Sequence, residues 1–126
     1  MQQKVIIADD AKFMRVMLRD ILEDLGCDVV AEAANGHQAV QRFLELAPDL
    51  VMLDISMPDM NGIEACRSIL QHDPAARVIM VSALGQRDEV LASIRTGATD
   101  FVIKPFDIER VEEALHKLQA RQALPV

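Results

Sequence analysis

Apolar residues fall in two alternating patterns along the chain. The first pattern is a short apolar run, and it occurs five times: Val5-Ile6-Ile7-Ala8, Val29-Val30-Ala31, Leu50-Val51-Met52-Leu53, Val78-Ile79-Met80-Val81 and Phe101-Val102-Ile103. The first, third and fourth runs are almost continuously apolar, which is typical of parallel strands that are buried on both faces. The runs therefore predict five strands of a largely buried sheet.

The second pattern follows each run and consists of apolar residues at helical spacing. It predicts five helices with these packed faces: Phe13, Met14, Met17, Leu18, Ile21, Leu22 and Leu25; Ala39, Val40, Phe43 and Leu44; Ile63, Cys66, Ile69 and Leu70; Val90, Leu91 and Ile94; Ile108, Val111, Leu115 and Leu118. Asn35, Asn61 and Asp107 are predicted to begin the second, third and fifth helices. Gly26 and Gly97 are predicted to end the first and fourth. We expect the tail from Gln119 to Val126 to be frayed.

Five strand–helix repeats with short connections predict an α/β fold. The alternation favours one doubly wound (βα)5 domain, in which a five-stranded parallel sheet carries helices on both faces. The length of 126 residues fits one hydrophobic core, and no Pro-, Gly- or Ser-rich linker interrupts the pattern. We therefore expect a single domain over residues 1–126, without an output domain.

Composition and charge narrow the classes of function. The net charge of −7 disfavours nucleic-acid binding, which needs a basic face. No apolar run approaches the ~20 residues of a membrane span, and no secretory signal precedes the first strand. Cys27 and Cys66 lack metal-ligand spacing and are interpreted as buried free thiols in a reducing compartment. We expect a cytoplasmic protein that binds neither nucleic acid nor membranes.

Polar residues stand where four of the predicted strands end. Asp9 and Asp10 follow the first strand, Asp54 the third, Ser82 the fourth and Lys104 the fifth. In a doubly wound sheet, ligands bind at the carboxyl ends of the strands. An aspartate after a strand also commonly caps the next helix, and this alternative stays open for Asp10.

Three converging carboxylates repel one another, and a hard divalent cation relieves that repulsion. Mg²⁺ takes a few carboxylates and keeps several waters, whereas zinc and copper favour His or Cys ligands. A cation beside a lysine and a hydroxyl suits phosphoryl oxygens. Asp54, on the central strand, is the best candidate for a phosphoryl acceptor, and Asp9 and Asp10 are candidate ligands of the metal.

These segments resemble the receiver domains of two-component response regulators over nearly the whole chain. The resemblance rests on four motifs taken together in order: Val5-Ile6-Ile7-Ala8-Asp9-Asp10; Leu53-Asp54-Ile55-Ser56-Met57-Pro58-Asp59-Met60-Asn61-Gly62; Val81-Ser82-Ala83; and Phe101-Val102-Ile103-Lys104-Pro105-Phe106. It implies the flavodoxin-like strand order 2-1-3-4-5 and a phosphoacceptor signalling protein rather than an enzyme with a separate substrate.

The resemblance also implies a role for each site residue. Asp54 takes the place of the phosphorylated aspartate. Asp9, Asp10, Asp54 and the backbone carbonyl of Ser56 take the places of the Mg²⁺ ligands, with Mn²⁺ as a substitute. Ser82 and Lys104 take the places of the hydroxyl and the ammonium group that bind the phosphoryl group.

Two further positions are implied to take part in switching. Phe101 stands at the family's aromatic switch position, and the Lys104–Pro105 peptide bond is implied to be cis. Leu84 and Ser56 stand where family members tune hydrolysis of the acyl phosphate, and the apolar Leu84 predicts slow hydrolysis.

The flanking segments resemble single-domain chemotaxis regulators in particular. They are Asp10-Ala11-Lys12-Phe13-Met14-Arg15, Glu32-Ala33-Ala34-Asn35-Gly36 and Ser82-Ala83-Leu84-Gly85-Gln86. The implied partners are a histidine kinase as phosphodonor, a flagellar motor switch protein as target of the face formed by the fourth helix, fifth strand and fifth helix, and a phosphatase. A receiver domain of a longer or non-chemotaxis regulator is the alternative.

Three other classes fit the sequence less well. A phosphatase of the haloacid dehalogenase type needs a second aspartate two residues after the nucleophile, where this chain has Ser56. A flavin carrier of the same fold needs stacking aromatics, and the chain has neither Trp nor Tyr. A receiver relative that works without phosphorylation commonly lacks the acceptor, the lysine or the acidic pair, all of which are present here.

Overall fold

The computed structural model describes residues 2–123, with side chains through Leu118, and shows ten elements in strict alternation. They are β1 (Lys4–Ala8), α1 (Lys12–Asp24), β2 (Asp28–Ala33), α2 (Gly36–Leu46), β3 (Leu50–Asp54), α3 (Gly62–His72), β4 (Val78–Ala83), α4 (Arg87–Thr96), β5 (Asp100–Lys104) and α5 (Ile108–Ala123). The five strands form one parallel sheet of order β2-β1-β3-β4-β5. The predicted doubly wound fold and strand order are confirmed.

The sheet separates two hydrophobic cores, because successive side chains of a strand point to opposite faces. Along β1, Ile6 and Ala8 belong to the core beneath α2, α3 and α4. Val5 and Ile7 belong to the core beneath α1 and α5. Every residue of β3 is buried, as its continuous apolar run predicts. This double burial fixes the register that brings the strand ends to one edge.

The predicted helix boundaries follow local hydrogen bonding. Three N-caps accept a hydrogen bond from the backbone three residues on: Asn35 from Gln38 N at 2.9 Å, Asn61 from Glu64 N at 2.9 Å and Asp107 from Arg110 N at 3.0 Å. Gly97 ends α4 with φ of 119°, a left-handed conformation that favours glycine. The caps predicted at these positions are confirmed.

Parts of the predicted helix faces are wrong. Phe13 of α1 is 70% exposed, and Met17, Leu44, Leu91 and Ile94 are also exposed. A helix that packs on a sheet buries only a stripe of its surface, so an apolar pattern wider than that stripe leaves side chains in solvent. In α1 the buried residues are Leu18 and Leu22. The apolar periodicity therefore located the helices but overestimated their buried faces.

The C-terminal prediction is also corrected. α5 continues through Ala123, so the backbone from Gln119 to Ala123 is helical rather than frayed. Residues 124–126 lie outside the described part of the chain. Cys27 and Cys66 are buried free thiols, as predicted. Within residues 2–123, none of the helices combines the length and the hydropathy needed to span a bilayer.

Candidate phosphoryl-acceptor site

Parallel strands bring the predicted site residues to one edge of the sheet. Asp54 and Lys104 are the last residues of β3 and β5, Asp9 follows β1 directly, and Ser82 is the penultimate residue of β4. Asp9 and Asp54 are each only 5% exposed. Lys104 is half-buried, and Asp10 is exposed. The side chains therefore form an acidic pocket with one solvent-facing wall.

Three carboxylates converge in this acidic pocket. Asp9, Asp10 and Asp54 each offer an oxygen, and these three oxygens lie within 4.8 Å of one another. Oxygen donors of this kind suit Mg²⁺, which binds through one or two carboxylates and retains waters. The exposure of Asp10 leaves room for those waters. The three predicted carboxylate ligands are thus brought together, and their chemistry fits the ion.

Asp10 does not cap α1. The N-cap position is occupied by Ala11, which has no side chain able to accept a hydrogen bond. The carboxylate of Asp9 instead accepts a hydrogen bond from the backbone N–H of Ala11 at 2.9 Å. The alternative structural role that the sequence left open for Asp10 is therefore excluded, and its carboxylate lies with those of Asp9 and Asp54.

Lys104 neutralises part of the acidic pocket. Its Nζ lies 2.9 Å from Asp9 Oδ2 and 3.4 Å from Asp54 Oδ2. Burial alone lowers the pKa of Lys104, but the hydrogen bond to Asp9 and the charge of Asp54 outweigh it and raise the pKa. Lys104 is therefore a fixed cation at neutral pH.

Asp54 has an unusual protonation equilibrium. Burial and then the neighbouring charge of Asp9 raise the pKa of Asp54 to about 6. Lys104 and a backbone hydrogen bond from Ser56 act in the opposite direction but do not cancel the shift. Desolvation disfavours the ionised form of a carboxyl group unless a cation compensates. A bound cation would therefore favour the ionised form of Asp54.

The loop after β3 folds tightly against Asp54. The N–H of Gly62 donates a hydrogen bond to Ile55 O at 2.9 Å. A Cβ atom at Gly62 would collide with the backbone carbonyl of Asp54, so only glycine allows this approach. Asp59, at the tip of the loop, is exposed. Ser56, whose carbonyl is the remaining predicted ligand, also lies in this loop and is exposed.

Gln86 joins the two loops that border the pocket. Its Oε1 accepts a hydrogen bond from Ala83 N at 2.7 Å, and its Nε2 donates to Ser56 Oγ at 2.8 Å. The Ser82 hydroxyl donates to the carbonyl of Ala83 at 2.9 Å. Gln86 is not predicted as a site residue from the sequence, because no residue pattern marks a side chain that bridges two loops.

Arg15 binds the backbone of the acidic pocket at Asp9. It is a second site residue that was not predicted from the sequence. Its Nη1 donates to the backbone carbonyl of Asp9 at 2.7 Å, and its Nε lies 3.0 Å from Glu32 Oε1. Arg19 lies 2.7 Å from the other oxygen of Glu32. Burial opposes ionisation of Glu32, but the two arginines outweigh it and lower its pKa. The spacing of four between Arg15 and Arg19 could have indicated a shared helix face.

The two positions implied in switching lie on β5 and directly after it. The Lys104–Pro105 peptide bond is cis, as the resemblance implied. Phe101 is half-buried and packs against the core beneath α4. With Ser82, Leu91 and Ile103 it lines a cavity of about 390 Å³ between α4 and β5. Its carbonyl accepts a hydrogen bond from Arg110 Nη2 at 2.7 Å.

The fold and this pocket define a class of protein. Residues 5–116 match the model of the response regulator receiver domain family. The match spans most of the chain, and the chain belongs to this family. It is therefore a signalling domain of the response regulator type.

Within the family, the chain is similar to chemotaxis regulators. It is 50% identical to the chemotaxis protein CheY of Thermotoga maritima over 118 residues, which cover 94% of this chain and 98% of that protein. It is 52% identical to CheY of Bacillus subtilis over 117 residues, which cover 93% and 98%. The chain is a CheY-like receiver domain, and these relatives support a function in chemotaxis.

Solved structures agree with this assignment. A chain of the CheX–CheY–BeF3–Mg²⁺ complex from Borrelia burgdorferi superposes with a TM-score of 0.89 and 35% identity, covering 93% of this chain and 89% of that chain. The response regulator domain of Thermotoga maritima CheB gives 0.80 and 38%, covering 98% and 96%. The chain therefore shares its fold with solved response regulators to which it is 35% and 38% identical.

Proposed function

We propose that this chain accepts a phosphoryl group on Asp54 from the phosphohistidine of a histidine kinase, and that phosphorylation controls its binding to a chemotaxis target. The observation that carries the proposal is the convergence of three carboxylates within 4.8 Å beside the ammonium group of Lys104. Such a cluster is repulsive by itself, because like charges at this separation destabilise the fold. A site for a cation and a phosphoryl group explains it.

The reaction is proposed to need Mg²⁺, for which Mn²⁺ can substitute. The carboxylates of Asp9, Asp10 and Asp54 and the backbone carbonyl of Ser56 are the proposed ligands. Bound there, the ion supplies neutralisation of the charge on the phosphoryl oxygens. The oxygen donors of the acidic pocket support this choice of metal.

The chain's own residues position and stabilise the acyl phosphate. An Asp54 carboxylate oxygen forms a bond to phosphorus as the bond from phosphorus to the histidine nitrogen breaks, which leaves the imidazole on the kinase. Lys104 stays within reach of the new dianion, since it already lies 3.4 Å from Asp54. The hydroxyl of Ser82 and the N–H of Ala83 are further donors at the same edge.

The output is proposed to be a shift between two states of the face formed by α4, β5 and α5. Ser82 turns toward the phosphoryl group, and Phe101 moves into the space between α4 and β5. The cavity of about 390 Å³ that both residues line supports such a movement. A partner that binds one of the two states more tightly then reads the signal.

We propose a flagellar motor switch protein as the target and a phosphatase as a further partner. The similarity to CheY of Bacillus subtilis and Thermotoga maritima supports the target. We place this activity in the cytoplasm, and the two free cysteines are in keeping with a reducing compartment. Residues 1–126 are proposed to act as one receiver domain.

Phosphotransfer from a kinase tests this function. A chemotaxis histidine kinase is first labelled with radioactive phosphate, then mixed with the chain and Mg²⁺. We expect rapid movement of the label to wild-type protein and none to Asp54→Asn, followed by tighter binding of a motor switch peptide to the labelled form. Transfer without a change in peptide binding would support the receiver chemistry but contradict the proposed target.

A further inference from the structure

Every donor expected to bind a phosphoryl group is already occupied within the chain. The hydroxyl of Ser82 donates to Ala83 O at 2.9 Å, and the N–H of Ala83 donates to Gln86 Oε1 at 2.7 Å. Lys104 donates to Asp9 at 2.9 Å. Hydroxyl and ammonium groups reorient by rotation, but the backbone N–H of Ala83 has one proton in a fixed direction. Gln86 Oε1 therefore has to leave the N–H of Ala83 before a phosphoryl oxygen can accept from that N–H.

That partner, the side chain of Gln86, spans the two loops that follow β3 and β4. Asp54 on β3 is in register with Val81 on β4. Ser56 and Ala83 each lie two residues beyond this pair, so they stand at matching positions above the acceptor aspartate. Gln86 bonds to both, to Ala83 N through Oε1 and to Ser56 Oγ through Nε2. One amide group therefore links the loop after β3 to the loop after β4, at positions two residues beyond the Asp54–Val81 pair.

The Gln86 side chain does not cap the helix that follows it. Gln86 occupies the N-cap position of α4, yet its side chain makes no hydrogen bond to the first turn of that helix. Its backbone N–H donates to Ala83 O at 3.3 Å, so the turn from Ala83 to Gln86 is closed by backbone and by side chain. The side chain thus stabilises the loop conformation rather than the helix.

We propose that Gln86 is a positioning residue that holds the unphosphorylated state, by retaining the N–H of Ala83 and by tying Ser56 to the β4–α4 loop. This inference rests on the proposed phosphorylation of Asp54. An N–H bond to an anionic oxygen is stronger than one to a neutral amide, so the phosphoryl group displaces Gln86 Oε1. The Gln86 side chain then also leaves Ser56, and the two loops are uncoupled.

The contact that is lost on phosphorylation opposes phosphorylation. Removing it raises the population of the competent state and so the apparent affinity for a phosphoryl mimic. We expect Gln86→Ala to bind beryllofluoride, in the presence of Mg²⁺, about two- to tenfold more tightly than wild type, which corresponds to the net effect of one hydrogen bond. Ser56→Ala removes only the Nε2 contact and should show a smaller increase.

The experiment is a titration with beryllium fluoride followed by the ¹⁹F resonances of the bound adduct. Wild type, Gln86→Ala, Ser56→Ala and Asp54→Asn are compared with Gln41→Ala, which truncates an exposed glutamine of α2. In ¹⁵N-labelled wild type, the side-chain amide of Gln86 should shift when the adduct forms. If Gln86 only stabilised the loop, Gln86→Ala would bind beryllofluoride more weakly than wild type. The side-chain amide resonance of Gln86 in wild type would then not shift when the adduct forms.

The outcomes separate this inference from the proposed function. The positioning role is supported if wild type forms the adduct, Gln86→Ala binds beryllofluoride more tightly than wild type, and Gln41→Ala binds it with wild-type affinity. An adduct of equal or lower affinity in Gln86→Ala, or an unshifted Gln86 amide, overturns the role and leaves phosphorylation of Asp54 intact. If wild type forms no adduct, or if Asp54→Asn forms the same adduct as wild type, the proposed function itself is overturned. The positioning role of Gln86 is then overturned with it.

Discussion

The ammonium group of Lys104 lies 2.9 Å from Asp9 Oδ2, although 95 residues separate the two in the chain. Their strands are not neighbours, because β3 and β4 lie between β1 and β5. The lysine side chain therefore reaches across the sheet edge and passes 3.4 Å from Asp54 on the way. One cation is thus shared by two buried carboxylates, which leaves the pocket with excess negative charge.

This imbalance predicts that the acceptor site destabilises the fold. Because the pKa of Asp54 is raised from 3.8 to about 6, the folded chain disfavours the ionised carboxylate. A neutral isostere removes the penalty. We expect Asp54→Asn to raise the free energy of unfolding at pH 7 and without divalent cations by about 1–3 kcal/mol, since one pKa unit corresponds to about 1.4 kcal/mol. Urea denaturation measures the difference.

The same shift predicts a pH dependence with a definite sign. Between pH 4 and pH 6 the folded state retains the proton of Asp54 while the unfolded chain releases it. The contribution of Asp54 to stability therefore falls as pH rises through this window and is constant above it. The advantage of Asp54→Asn over wild type should be near zero at pH 4, grow towards pH 6 and then level off. An advantage that is independent of pH would contradict this electrostatic origin.

Asp10 is predicted to bind the metal although it is exposed. Its carboxylate lies with those of Asp9 and Asp54 within 4.8 Å. We expect Asp10→Asn to weaken Mg²⁺ binding by at least about tenfold, the lower limit for losing even an outer-shell partner of a metal ligand. Isothermal titration calorimetry with Mg²⁺ measures the affinity. Asp59→Asn, at an exposed loop position, is the matched control and should bind as wild type.

Ser82 is predicted to couple phosphorylation to the output face. Its hydroxyl is buried and donates to the neighbouring carbonyl of Ala83, its one hydrogen-bond partner among the described residues, so it is available to turn. We expect Ser82→Ala to accept the phosphoryl group but to show smaller chemical-shift changes at Phe101 and along α4 on phosphorylation. Ser68→Ala, on α3, is the control. Shift changes of wild-type size in Ser82→Ala would exclude the hydroxyl from the switch.

Hydrolysis of the acyl phosphate is predicted to be slow. Leu84 is 83% exposed and apolar, so it offers no group to orient an attacking water. We expect Leu84→Glu to accelerate loss of the phosphoryl group by roughly tenfold, below the ~10²-fold that a well-placed general base supplies. Decay of radioactive label measures the rate. Leu44→Glu, at an exposed position of α2, should leave it unchanged, and fast decay in wild type would refute the prediction.

Most of the fold could be predicted from the sequence because its signals are local. Apolar runs indicated strands that are buried on both faces. Asn35, Asn61 and Asp107 indicated where helices begin, because the side chain of each accepts a hydrogen bond from the backbone N–H three residues later. The buried helix faces were predicted less well. Phe13 of α1 is 70% exposed, because periodicity shows which side chains are apolar and not how much of a helix the sheet covers.

The site could be predicted only as far as strand ends define it. Asp9, Asp54 and Lys104 come together because parallel strands end at one edge, which is a property of the topology. Gln86 and Arg15 act through contacts with backbone groups: Gln86 bonds to Ala83 N and Arg15 to Asp9 O. Such bonds depend on the three-dimensional path of the loops, and neither residue type nor spacing reports them.

Asp54 is proposed to form an acyl phosphate with the help of a divalent cation. Intact mass spectrometry after incubation with acetyl phosphate, with and without Mg²⁺, on wild type and Asp54→Asn tests it most directly. We expect one phosphoryl adduct on wild type, abolished both by removal of Mg²⁺ and by the substitution. No adduct under any condition, or an equal adduct on Asp54→Asn, would contradict it.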